Sequence, residues 1–203
     1  MDAGKGEFVT SKTIAALGCA AHSGWAAVIG VGEIDGHLRV LVRERIAMAH
    51  PSDPEAKQPY HAVERLPIGE AAERLIAYAT TAELMARQAV QRIVDQLSQG
   101  GYRGIGLGIL ESAGRKGITL AKILASHALI HTADGDHFRN AIAAAVSRCG
   151  LLPAFRVRAR ELNAKAAEAI GRPVETLQLV LKGVGRDMGP PWGADQRHVA
   201  PRG

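Results

Sequence analysis

The residue types most able to do chemistry in this chain are its eight histidines, and His127 and His131 stand four residues apart. On a helix at about 100° per residue that spacing keeps both imidazoles within about 40° of each other. Such a pair can chelate zinc, and Asp134 or Asp136 could complete a shell. A metalloprotease-type motif would set a glutamate beside the first histidine, where this chain has Ala128. Leu120, Ile123 and Leu124 share the arc, so the pattern favours two buried, neutral imidazoles facing a sheet, because burial disfavours the charged form. His127 is then an acid/base candidate and His131 a ligand-binding one.

Two other segments carry reactive types. His22-Ser23-Gly24-Trp25 reads as a tight turn between strands, and Gly24 allows close approach to the backbone there. His22 and Ser23 are catalytic candidates as base and nucleophile. As neighbours on an extended chain they point to opposite sides and do not serve each other. Pro59-Tyr60-His61 lies in a long loop, and long loops supply binding residues. Tyr60 and His61, with Arg43 and Arg45 on a nearby strand, could rim a binding cleft, and Trp192 in Gly189-Pro-Pro-Trp-Gly193 offers a stacking surface.

The elements that must position these residues follow from patterning. Apolar runs predict strands over 13–20, 24–31 and 37–48, with Asp35-Gly36 as the hairpin signal. A loop with four prolines spans 50–67. A helix is predicted over 69–99, with Leu75, Tyr78, Ala82, Met85, Ala89, Ile93 and Leu97 as its apolar stripe, closed by Gly100-Gly101. A strand over 103–110 has glycines at alternate positions that leave one face bare. Helices over 119–131 and 136–148 are separated at Asp134-Gly135. A strand over 154–160 and helices over 161–170 and 174–184 complete the body. Residues 1–12 read as a flexible tail, and 189–203 as a Gly/Pro/Trp turn with a short C-terminal segment.

Composition limits the classes. The chain has 203 residues, 47% hydrophobic and 22% charged, which fits one ordinary globular core. A net charge of +5 permits an anionic partner, although Arg156-Val-Arg-Ala-Arg160 alternates as a solvated strand face would. Cys19 and Cys149 lack metal-site spacing and read as reduced buried thiols, which suits the cytoplasm. No apolar run reaches membrane-spanning length.

Three antiparallel strands followed by helix, parallel strand, helix, strand and helix resemble the ribonuclease-H-like superfamily, which includes RuvC-type resolvases and, more distantly, actin-like ATPases. The resemblance covers roughly 13–200 and implies an α/β fold, a five-stranded mixed sheet in the order 3-2-1-4-5 with helices on both faces, with 13–188 as the domain body. It places Glu111, at the end of the fourth strand, and Asp195, in a late helical segment, as metal ligands for Mg²⁺ or Mn²⁺. The superfamily's first-strand aspartate has no counterpart in Leu17-Gly-Cys-Ala-Ala-His22. Two metal ions need several hard oxygen ligands between them. The resemblance therefore implies a protein that binds nucleic acid or a partner without standard two-metal nuclease activity. The alternative is a metal-dependent nuclease or phosphohydrolase acting on nucleic acid or a phosphorylated ligand, using Glu111, Asp195 and a histidine. A homodimer is left open.

Overall fold

The computed structural model describes residues 13–111 and 117–188. Five strands form one mixed sheet: β1 (Thr13–His22), β2 (Trp25–Ile34), β3 (His37–Ala47), β4 (Tyr102–Glu111) and β5 (Leu152–Arg158). Their spatial order is β3-β2-β1-β4-β5. β1 pairs antiparallel with β2 and parallel with β4, and β5 continues the parallel side. This is the expected sheet. The β2–β3 hairpin turns on Asp35 and Gly36, both at positive φ, where glycine costs nothing and aspartate is tolerated.

One face of the sheet carries the main core. Leu17, Cys19, Val28, Val42, Ile46, Leu107 and Ile109 meet helix α2 (Ile68–Gln99), which presents Ala82, Ala86, Ala89, Val90, Ile93 and Leu97. Small alanines on α2 let it lie close to the strands and to helix α4 (His127–Arg148), whose Phe138, Ile142 and Ala145 join the same cluster. Ala86 is buried on this stripe, whereas Met85 is only half-buried. The opposite face is covered more thinly, by helices α5 (Ala159–Ile170) and α6 (Val174–Met188). Leu181 packs there on Ala20, Ile29 and Val31. The bare glycine face of β4 contributes to a 380 Å³ cleft lined by Gly106, Gly108, Phe155 and Leu162. Cys19 is fully buried, and desolvation pushes its thiol up to about 12. Cys149 is only partly buried, and burial likewise raises its thiol.

Two expectations need correction. The segment 50–67 is not plain loop: a 3₁₀ turn (Pro54–Lys57) and the short helix α1 (Pro59–Ala62) order it, with Asp53 accepting from the N–H groups of Glu55 and Ala56. The helix break also falls elsewhere. Helix α3 (Leu120–Leu124) stops at Ala125, Ser126 takes an extended conformation, and α4 then runs unbroken through Asp134-Gly135. Local turn preference at Asp-Gly loses because Asp134 has partners elsewhere in the fold. Among the described residues no helix is long and apolar enough to cross a membrane.

Ile93 is fully buried between α2 and the sheet. Ile93→Ala should cost about 2–5 kcal/mol, the range for removing a buried aliphatic side chain. Urea unfolding measures this, and a loss below about 1 kcal/mol would show that the α2 contact adds little.

Candidate histidine site and the sheet edge

The rise of α4 sets where its first turns lie. β5 runs parallel to β4, so α4 must return from the carboxyl edge of the sheet toward the amino edge. Arg139 donates from Nε to the carbonyl of Leu110 at 3.0 Å, which levels that part of α4 with the end of β4. His131 lies eight residues earlier, about 12 Å along the axis. The amino end of α4 therefore stands beyond the carboxyl edge of the sheet, where α1 meets it.

Asp134 organises this junction. It is 4% exposed, the one buried charged side chain among the described residues. One carboxylate oxygen accepts the Tyr60 backbone N–H at 2.7 Å, and the other accepts from His61 Nδ1 at 2.5 Å. Because an ionised carboxylate only accepts, Nδ1 of His61 carries the proton and a neutral ring keeps its Nε2 lone pair. That ring lies 5.4 Å from the ring of His127 and 4.5 Å from that of His131, centroid to centroid. Nε2 of His127 and Nε2 of His131 are 3.0 Å apart. One donor atom from each of the three histidines fits within a span of 4.8 Å.

The expected burial of the pair is wrong: His127 and His131 are both exposed, and His61 is half-buried. The break at Ala125–Ser126 resets the helical phase, so the arc of Leu120, Ile123 and Leu124 does not continue into α4. Leu120 and Leu124 pack instead beside Val63, Leu75 and Tyr78. His61, read from sequence only as part of a cleft rim, joins the pair across a chain separation that no periodicity reveals. Burial, with the Asp134 and Asp136 carboxylates, raises the Tyr60 phenol above its ordinary value.

The sheet edge holds a second group. His22 stacks on Trp25 with ring centroids 4.2 Å apart, and the Arg45 guanidinium lies 4.0 Å from the Trp25 ring centre. Ser23 is exposed at the turn. The space beside Gly24 is taken by neighbouring chain, since a Cβ there would lie 2.9 Å from Lys57 Cγ and 3.1 Å from Ala49 Cβ. Glu111 ends β4 in register with Arg158 of β5. Strand alternation, fixed by Ile109 in the main core and Ala20 on the other face, puts Glu111 on the α4 side and His22 on the opposite side. The two share an edge and not a face. Asp195 and Trp192 lie outside the described residues.

No protein-family model matches the chain, and no curated protein matches it in sequence. Among solved structures it is similar to RuvC of T. thermophilus in complex with a Holliday junction substrate. Identity there is 14%, over 91% of this chain and 86% of that one, with a TM-score of 0.47. It is also similar to the Aquifex aeolicus member of the Ppx/GppA protein family, at 8% identity over 76% of this chain, with a TM-score of 0.35. The chain spans 39% of that protein's length. Strand order and direction, rather than these overall similarities, identify the fold as ribonuclease-H-like.

Removing the carboxylate tests the junction. Asp134→Ala leaves the Tyr60 N–H and the His61 ring without their acceptor, at an expected cost of about 1–3 kcal/mol. An unchanged urea midpoint would contradict the anchoring role. His137 supplies a pH test. Desolvation lowers its pKa from the ordinary 6.5, against the opposing pull of Asp134. The unfolded chain then takes up the proton first, so this contribution to stability is complete above about pH 6.5 and declines as pH falls through the lower folded value. His137→Asn should lose less stability than the wild type between about pH 7 and about pH 5, and equal losses would rule this out.

Proposed function

We propose that this ribonuclease-H-like protein binds nucleic acid along the carboxyl edge of its sheet and does not run standard two-metal hydrolysis there. The observation that carries the reading is the stack at the end of β1. In the resemblance that position region holds a metal-binding aspartate, and β1 here has no carboxylate between Thr13 and His22. It ends instead in a His22–Trp25–Arg45 stack, with Arg45 exposed. With His22 and Arg45 both on the indole ring, the exposed Arg45 guanidinium offers the charge for phosphate, and its outer plane can stack on a base. The net charge of +5 favours the same partner.

The reading is tested by titrating the protein into labelled single- and double-stranded DNA and RNA at several salt concentrations, with and without Mg²⁺ or Mn²⁺. Binding should weaken as salt rises, with a log–log slope of about −0.7 per phosphate contact for single strands. Arg45→Ala, at an exposed position, should weaken binding and make that slope shallower. No divalent-dependent cleavage is expected. Cleavage that disappears in Glu111→Gln would replace this reading with the hydrolase one, in which Glu111, Asp195 and a histidine act together. Absence of binding at low salt would end this reading and the nuclease form of the other.

A further inference from the structure

We propose that His61, His127 and His131 form a mononuclear zinc site, with Asp134 as the carboxylate that orients His61 and one coordination position left to solvent. This goes beyond the nucleic-acid reading and does not depend on it. The donor set decides the class of ion. Three imidazoles suit Zn²⁺ and neighbouring transition metals, whereas Mg²⁺ and Ca²⁺ require oxygen ligands. Two donors come from one helix at the four-residue spacing of a chelating pair, and the third arrives from α1. No pair of donor atoms is farther apart than 4.8 Å, and the His127–His131 pair is 3.0 Å apart. Donors on a tetrahedral zinc with bonds of 2.0–2.1 Å are separated by about 3.3 Å. The required adjustment, about 1.5 Å at most in any donor separation, falls on two exposed rings and one half-buried ring rather than on the core.

Asp134 makes this more than a chance meeting of histidines. A metal-bound histidine almost always donates its other ring N–H to a carboxylate or carbonyl, which fixes ring orientation and raises ligand basicity. His61 does this through Nδ1, and the accepting carboxylate is buried and held by the Tyr60 N–H. Exposure of His127 and His131 leaves the outer side of the triangle open, as in zinc sites that keep a water. A bound ion would also cross-link α1 to α4.

The test is zinc affinity by competition with a chromogenic chelator, on the full chain and on single variants whose folding is checked by circular dichroism. His61→Ala, His127→Ala and His131→Ala should each weaken zinc at least tenfold. Asp134→Asn should weaken it about 10–100-fold, the usual effect of losing such an orienting partner. His50→Ala, at an exposed histidine bonded to Ser52 and outside the cluster, should bind as the wild type does. Cobalt should give the intense visible bands of a four-coordinate site, and excess Mg²⁺ should not displace zinc. Zinc should raise the melting temperature of the wild type and not that of His61→Ala. Wild-type affinity in His61→Ala would mean that the helical pair binds alone, and the three-ligand site would be wrong. A weak six-coordinate cobalt spectrum, or no zinc binding by the wild type, would overturn it as well.

Discussion

The buried carboxylate of Asp134 is the interaction on which the arrangement above the sheet depends. A charge out of water must be compensated or it neutralises. Asp134 is compensated by a backbone N–H and an imidazole from a segment more than seventy residues away in sequence. Those two bonds hold α1 against α4, stop Asp134-Gly135 from acting as a turn, and aim His61 at the His127–His131 pair. Gly135 assists because Arg139 folds over it: a Cβ at that position would lie 2.7 Å from Arg139 Nη1. Arg139 in turn reaches the end of β4 and Asp136. One anchored stretch of α4 thus couples the histidine cluster to the sheet edge.

The fold was legible in the sequence because its determinants are local or topological. Apolar runs mark β1, β2 and β3, Asp35-Gly36 marks the hairpin, and the alternation of helix and strand after residue 68 dictates right-handed crossovers that put β4 and β5 beside β1. The long stripe of α2 was readable for the same reason, although Met85 is only half-buried and Ala71, Ala86 and Val90 are buried beside it. The site was legible in part. His127 and His131 announce themselves by spacing, but their exposure depends on the helical phase, and one extended residue at Ser126 changes it. His61 is legible only as a loop residue at a cleft rim and not as a partner of the pair, since its approach is set by Asp134 and by the proline-rich path of residues 50–67. The resemblance directed attention to Glu111 and the turn after β1 to His22, and strand alternation places these on opposite faces of the same edge.

Together these features describe a ribonuclease-H-like sheet whose β1 carries no carboxylate. Imidazoles, which prefer softer ions than carboxylates do, are gathered instead on the helices above that edge. The edge itself presents an exposed arginine over a half-buried tryptophan. The two regions lie on the same side of the molecule because α1 and the amino end of α4 both stand beyond the carboxyl ends of the strands.

Zinc-edge X-ray absorption on the zinc-loaded full chain tests the central claim most directly, because it counts imidazoles and separates nitrogen from oxygen shells. The account predicts four ligands at about 2.0–2.1 Å, three of them imidazole nitrogens and the fourth a water oxygen. Six oxygen-rich ligands, or a shell with two imidazoles unchanged in His61→Ala, would contradict it.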